Sequence, residues 1–196
     1  MDSRLARALE RCEAAHREDP RRIEVDGELV PWSVHYHRRL GHWVLRFDPR
    51  ASLPLRLAAV CQHIRRWEIP RDDFPRDRIG YLKWRTRLKH FHAEVAAGIL
   101  QRVGYDAETI ARVQALLRKE HLKRDPEAQT LEDVVCLVFL ENWFADFARQ
   151  HEPDKIVDIV AKTWKKMSPA GREAALGMAH ALPEDARVLV ERAVAG

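Results

Sequence analysis

Residues 79–103 read IGYLKWRTRLKHFHAEVAAGILQRV, and this stretch decides the fold class. Its apolar residues recur at spacings of three and four, which places them on one side of a helix. Gly104 follows directly, as is typical just after a helix C-terminus. The sequence therefore predicts a helix over residues 79–103, the longest one in the chain.

Further apolar stripes and capping residues on both sides predict a compact all-α bundle of about seven to nine helices. The segment 131–147 is apolar on most sides, so it is expected to be the central helix. Residues 23–30 fit either a small hairpin about Asp26-Gly27 or an ordered loop. We expect one helical domain over residues 1–196, with a core over residues 28–150 and a C-terminal helical appendage over residues 151–196.

The charge balance does not by itself indicate a nucleic-acid-binding protein. The chain has 196 residues, and 34 Lys and Arg against 30 Asp and Glu leave a net charge of only +4. So small an excess permits an anionic ligand, nucleic acid included, without requiring one.

Cysteine usage and hydropathy predict a soluble, cytoplasmic protein. The three cysteines lie far apart in the sequence, which is typical of reduced thiols in a cytosolic protein. The charged start MDSRLARALER lacks the apolar core of a signal peptide, and the longest apolar run, Val134 to Leu140, is too short to cross a bilayer. We expect no membrane contact, and the oligomeric state stays open.

Five predicted helices each carry one side chain suited to metal binding on an otherwise apolar face. Buried polar groups are costly without partners, so such faces predict one shared buried site. Imidazoles with one carboxylate suit a divalent manganese, iron, nickel, cobalt or zinc ion. The alternative is that each histidine is an ordinary core residue. Two ligands have alternatives: His35 could bind the metal in place of His37, and Glu120 in place of His121. The five side chains are His37, His63, His92, His121 and Glu141.

The run LAAVCQHIRRW, residues 57–67, resembles the signature of HD-domain metal-dependent phosphohydrolases. In that superfamily one helix delivers a His-Asp pair to a metal, while other helices supply further histidines and an acidic residue. The resemblance covers roughly residues 37–141 and implies an HD-like core that binds a divalent metal ion. Carried over in chain order, it assigns the metal ligands to His37, His63, His92, His121 and Glu141.

The chain departs from the HD pattern at the pair itself, which reads Gln62-His63. The missing Asp ordinarily binds the metal and helps to hold the attacking water. Its replacement would have to come from Glu120, Asp133 or Glu141.

Four phrases resemble an uncharacterised family more closely still. This is the domain-of-unknown-function family number 4202, and the resemblance implies no activity. The phrases are QHIRRWEIPR, GYLKWR, FHAE and LEDVVCLVFLE.

A basic and aromatic pattern covers residues 62–90, with nine Lys or Arg against four Asp or Glu. Arginine forks suit phosphate, and an aromatic ring offers a nucleotide base a surface for stacking. The pattern therefore predicts a phosphorylated small molecule or a nucleotide as ligand, although such residues also often cover a helix surface with their stems. The predicted substrate-binding residues are Arg65, Arg66, Arg71, Trp84 and Arg85.

These patterns favour a metal-dependent phosphohydrolase that acts on a nucleotide or another phosphorylated small molecule. Glu141 and Lys119 are its predicted catalytic residues, with a carboxylate activating water and Lys119 holding the phosphate. The alternative is a non-catalytic helical scaffold that binds a nucleotide, nucleic acid or protein partner, and the missing Asp favours it. A third hypothesis is a partner-binding module without a small ligand, in which Arg65 and Arg66 would be dispensable for binding.

Overall fold

The structure is a computed structural model that describes residues 3–195. This range contains ten α-helices, two short 3-10 helices and one two-stranded sheet. The all-α prediction is confirmed, and the number of α-helices in the described range is slightly above the predicted seven to nine. The elements are α1 (Ser3–Arg17), β1 (Arg22–Val25), β2 (Glu28–Pro31), α2 (Trp32–Phe47), α3 (Leu53–Cys61), α4 (Arg78–Val103), α5 (Ala107–Arg118), α6 (Pro126–Asn142), α7 (Phe144–Arg149), α8 (Pro153–Trp164), α9 (Pro169–Ala179) and α10 (Glu184–Val194), with 3-10 helices at Arg66–Glu68 and Arg71–Asp73.

The chain divides into two compact units, unit 1 up to Ala128 and unit 2 from Gln129. Unit 1 holds α1 to α5 and the sheet, and unit 2 holds most of α6 together with α7 to α10. One domain with a core over residues 28–150 and an appendage over residues 151–196 stays a prediction.

Helix α3 is the buried element of unit 1, and it contacts α1, α2, α4 and α5. Ser52 caps it by accepting a hydrogen bond from Leu55 N at 3.2 Å. Five of its nine residues are buried, including Leu55, Leu57 and Cys61, so it is apolar nearly all round. The residues that follow its C-terminus therefore begin inside unit 1.

Helix α3 ends two residues before His63, although the sequence predicts that it runs through His63. The reason is the backbone, because His63 has φ +60° and Arg65 has φ +51°. A left-handed conformation cannot continue a right-handed helix. His63 therefore lies in a tight turn after α3.

Helices α4 and α5 begin at side-chain caps and end at left-handed residues. Asp77 Oδ1 accepts from Gly80 N at 2.6 Å, and Gly104 with φ +92° ends α4, which confirms the helix predicted over residues 79–103. The apolar stripe that carries His121 predicts that α5 continues to about residue 123. It ends at Arg118 instead, because Lys119 has φ +59°. The helical stripe predicted through His121 is therefore interrupted.

The hairpin is the correct alternative for residues 23–30. Strands β1 and β2 pair antiparallel, with Ile23 opposite Val30. Both turn residues, Asp26 at φ +52° and Gly27 at φ +81°, are left-handed, as a two-residue type I′ turn requires.

In unit 2 the single helix expected over residues 131–147 is broken into α6 and α7. Trp143, with φ −136° and ψ −10°, lies outside helical geometry between them. Phe144, Ala148 and Ile156 pack with α10 residues in an apolar cluster. The break turns Phe144 and Ala148 into the core of this unit.

No helix within residues 3–195 combines the length and the hydropathy that crossing a bilayer requires. The longest of them, α4, has 26 residues but carries charged side chains along its length. The apolar α3 has only 9 residues.

Candidate functional site

Five aromatic and imidazole rings form a contiguous row through unit 1, which we name the ring row. His16 of α1 stacks on His37 of α2 with ring centroids 3.6 Å apart and an interplanar angle of 11°. Tyr36 contacts both His37, at 5.0 Å, and His63, at 5.7 Å. His63 in turn lies edge-on to His92 of α4 at 5.8 Å. The ring row thus joins three helices and the turn after α3.

His37 is the central, fully enclosed member of the ring row, with 3% of its surface exposed. Its Nδ1 lies 2.5 Å from Ser33 O, and its Nε2 is hydrogen-bonded to Gln62 O. Ser33 O already accepts an intrahelical bond in α2, so we assign the ring proton to Nε2. Burial holds the pKa of His37 well below its usual value, and the ring is therefore neutral. Nε2 therefore links α2 to the turn after α3, whereas Nδ1 lies against a carbonyl oxygen of α2 itself.

His16 and His92 each use one nitrogen and leave the other unpartnered. His16 Nε2 donates to Val60 O at 2.8 Å, and His92 Nδ1 donates to Ile64 O at 2.7 Å. Burial lowers the pKa of each to about 4, so both rings are neutral at pH 7. His16 Nδ1 and His92 Nε2 are buried without a hydrogen-bond partner in the described structure. Each of these two atoms therefore offers a free lone pair.

One end of the ring row opens into a narrow cavity in unit 1, which we name the cationic pocket. Its volume is about 20 Å³, somewhat more than the minimum that one water molecule needs. Among the described residues, no carboxylate lines it. The lining residues are Gln62, His63, Arg66, Arg85, Leu88, Lys89, His92, Leu117 and Lys119.

Arg66 and Arg85 bring uncompensated positive charge into the cationic pocket. Burial and the charge of Arg85 lower the pKa of Arg66 to about 10. The Arg66 guanidinium lies over the Trp84 ring at 4.6 Å, and Trp84 Nε1 donates to Ile69 O at 2.9 Å. Within residues 3–195 neither guanidinium pairs with a carboxylate. Trp84 thus positions Arg66, and its ring face is already in use.

The other two predicted phosphate-binding arginines are engaged away from the pocket. Arg65 pairs with Glu18 at 2.8 Å and with Glu68 at 3.5 Å. Arg71 donates to Phe74 O at 2.9 Å and to Pro75 O at 2.7 Å, which holds the loop before α4. Neither lines the cationic pocket.

The four predicted histidine ligands, all in unit 1, do not gather around one point. Both nitrogens of His37 lie against backbone carbonyl oxygens, and His121 is exposed in the turn after α5. Glu141 is exposed in unit 2. His63 and His92 are neighbours, but cationic side chains surround them. Within residues 3–195, no three His, Cys, Asp or Glu side chains are grouped to hold a metal ion. This donor set does not fit a divalent metal, and metal binding stays a prediction.

The alternative carboxylates also have other partners. Glu120 Oε1 accepts from Arg118 Nε at 2.7 Å. Asp133 is buried in unit 2, where its Oδ1 accepts from Ser168 N at 3.0 Å. These contacts use both side chains in local structure.

The spacing of three pocket residues on α4 is a signal in the sequence that could have identified Lys89. Arg85, Lys89 and His92 lie at positions i, i+4 and i+7 of α4, which puts all three on one helical face. Lys89 was not predicted. His16 was missed too, although it lies four residues after Cys12 on the buried face of α1.

Residues 6–190 match the family described as Domain of unknown function (DUF4202). The chain belongs to this family. The match covers the ring row and the cationic pocket. The chain matches no curated protein and no solved structure.

Two residues of the cationic pocket in this DUF4202 protein have left-handed backbones. They are His63 at φ +60° and Lys119 at φ +59°. This conformation costs a residue with a Cβ roughly 1–2 kcal/mol, and such strain is concentrated at ligand sites.

Lys119→Gly is expected to stabilise the DUF4202 fold and to remove one positive charge from the cationic pocket. Glycine removes the left-handed strain at this helix C-terminus, and part of that gain is offset by its larger backbone entropy in the unfolded chain. We expect the free energy of unfolding to rise by about 1 kcal/mol and the melting temperature by about 2–4 °C. Urea and thermal denaturation measure both. Lys119→Ala is the matched control, because it removes the same ammonium but keeps the strain; equal stability of the two variants would contradict the prediction.

Proposed function

We propose that unit 1 of this DUF4202 protein binds the phosphate group of a phosphorylated small molecule or nucleotide in the cationic pocket. The observation that carries the proposal is the pair Arg66 and Arg85, two half-buried guanidiniums in one cavity with no carboxylate partner among the described residues. Partly buried like charges repel each other and are costly to hold together. An oxyanion between them removes this cost and receives charge-assisted hydrogen bonds from both.

The other groups in the pocket suit the same ligand. Lys119 and Lys89 add positive charge, while His63 and His92 are neutral and bring none. Burial and the Arg66 charge hold the pKa of His63 well below its usual value. The small cavity receives the phosphate oxygens, and the rest of the ligand lies outside the pocket.

Hydrolysis of the bound phosphate ester is the second candidate, and the free lone pair of His92 favours it. His92 Nε2 is an unpartnered acceptor in the same pocket as Lys119. A neutral imidazole beside a phosphate can accept a hydrogen bond from an attacking water, and the anionic phosphate would favour transfer of the proton to the ring. Release of inorganic phosphate from AMP, measured with and without Mn²⁺ or Zn²⁺, tests it.

Arg85→Gln is expected to reduce the affinity for phosphate ligands at least tenfold while leaving the fold intact. The loss corresponds to one charge-assisted hydrogen bond, about 1.5–3 kcal/mol. Stability should stay the same or rise slightly, because the Arg85 charge disfavours the charged form of Arg66. Isothermal titration with pyrophosphate, AMP and ribose 5-phosphate measures the affinity, and urea denaturation measures the stability.

The matched control is Arg87→Gln on the same helix. Arg87 is exposed and lies 3.7 Å from Glu94, outside the cationic pocket. The Arg87→Gln variant should bind all three probes with the affinity of the wild type. If none of the probes binds the wild type, or if both variants lose affinity equally, the pocket is not the binding site.

A further inference from the structure

A second cavity in unit 1, of about 350 Å³, lies among α1, α2 and α3. We name it the apolar cavity. Its walls include Leu5, Leu9, Val34, Leu45 and Val60, and it shares no lining residue with the cationic pocket. A volume of this size is at the lower end of the range for small-molecule sites, which are mostly apolar with a few convergent polar groups.

One convergent polar group is His16, which lines the apolar cavity with 2% of its surface exposed. Its Nε2–H donates to Val60 O, so Nδ1 carries the free lone pair. That atom is buried and has no partner in the described structure. Buried polar atoms are rarely left unpaired, so this lone pair is available to a hydrogen-bond donor on a ligand.

The second polar group is Arg56, a half-buried residue of α3 that also lines the cavity. In the described part of the chain no carboxylate pairs with its guanidinium. The one acidic residue of the lining, Glu13, is bound by Arg17 at 2.6 Å and by Arg38 at 2.8 Å. The Arg38 hydrogen bonds hold the pKa of Glu13 below its usual value, so its carboxylate is ionised and its charge is balanced by the two arginines. The free charge in the cavity is therefore positive.

We propose that the apolar cavity is a second ligand site, for a small apolar carboxylic acid that also carries a hydrogen-bond donor, such as a phenolic acid. The carboxylate binds Arg56, the donor binds His16 Nδ1, and the body of the ligand fills the apolar walls. The site is independent of the phosphate site, because the two cavities have no residue in common.

Three probes separate the contributions of the two polar groups. The reference probe is 3-(4-hydroxyphenyl)propionate, 3-phenylpropionate lacks the donor, and 4-propylphenol lacks the carboxylate. We expect the reference to bind with a dissociation constant on the order of 0.1–1 mM. Each of the others should bind about tenfold more weakly, the loss expected for one hydrogen bond. Isothermal titration with the full-length protein measures all three.

Two variants test the location. A Cβ at Gly41 would meet only Val60 Cγ1, at 3.6 Å, so Gly41→Leu fits the helix backbone and extends into the cavity. This variant should remove binding of the reference probe while keeping or raising the melting temperature, because Leu is the better helix former. Arg56→Gln should weaken binding of 3-phenylpropionate about tenfold, because the carboxylate loses its partner, and should leave binding of 4-propylphenol unchanged. Arg39→Gln, on the exposed side of α2, is the control that should bind normally.

Either of two results would overturn the proposal. The first is absence of saturable binding of 3-(4-hydroxyphenyl)propionate to the wild type. The second is binding that survives Gly41→Leu in a folded protein, since the probe would then lie elsewhere. Neither result bears on phosphate binding, which Arg85→Gln tests separately.

Discussion

We expect the free energy of unfolding of unit 1 to fall by several kcal/mol as the pH decreases from about 6.5 to about 4. Burial lowers the pKa of His16 and of His92 from the usual 6.5 to about 4. Between these two pH values the unfolded chain binds a proton at each histidine and the folded chain does not. The free energy of unfolding is therefore at its full value above pH 6.5, and it decreases as the pH falls towards 4. Each of these two buried histidines accounts for up to about 3 kcal/mol.

Other groups act in the same direction or at lower pH. Burial also holds the pKa values of His37 and His63 well below the usual value, so both add to the loss on acidification. The Arg112 ion pair lowers the pKa of Asp125 to about 2, and its contribution is lost only as the pH falls from 3.8 towards 2. Since a domain is typically stable by only about 5–15 kcal/mol, we expect unit 1 to unfold near pH 4 to 5.

Urea denaturation followed by circular dichroism, repeated between pH 7.5 and pH 4.5, measures this dependence. His92→Gln should flatten it, because one of the shifted groups is removed. His90→Gln is the control for the substitution itself, since His90 is exposed on the same helix, and it should be as stable as the wild type at pH 7.5. A free energy of unfolding that stays constant across this pH range would contradict the neutral, buried state of the ring row.

His37→Ala is expected to lower the free energy of unfolding by about 3–5 kcal/mol. The ring is enclosed, stacks on His16 at 3.6 Å and donates to Gln62 O. Alanine leaves a cavity where the ring was and an unpaired carbonyl oxygen at Gln62. The loss arises where α2 meets the turn after α3, so it should also disturb the neighbouring His63.

His37→Phe separates packing from hydrogen bonding. Phenylalanine keeps a ring beside His16 but leaves Gln62 O unpaired, which should cost about 1–3 kcal/mol. His42→Ala on the exposed side of α2 is the control and should change stability by less than about 0.5 kcal/mol. If His37→Ala is as stable as the wild type but loses a bound metal in elemental analysis, His37 is a metal ligand and its role in packing is minor.

The parts of the fold that could be predicted are those set by neighbouring residues. Helix α4 was located to within a residue because its apolar spacing, its end at Gly104 and its length are all local features. The Asp26-Gly27 hairpin is local in the same sense. The sequence places the ends of α3 and α5 too late, because the left-handed positions that follow these helices hold His63 and Lys119 and not the glycine that usually marks such an end.

The structure brings some of the predicted site residues together in one cavity and leaves others outside it. Arg66, Arg85 and Lys119 were selected as phosphate-binding residues, and all three line one pocket. His121 and Glu141 were selected from helical stripes, but one stripe ends before His121 and Glu141 is exposed. Periodicity shows which residues share a face of one helix. It does not show which faces of different helices meet.

The sequence by itself determined the all-α class, the helix that carries His92 and the basic character of residues 62–90, because these follow from short-range spacing and composition. Only the tertiary structure decided which charges would be left without partners. Packing pairs Arg65 with Glu18 and leaves Arg66 and Arg85 in a cavity without carboxylates. The physical reason is that a charge pair or a buried lone pair depends on distances of a few ångströms between residues far apart in the chain, and the packed helices alone set those distances.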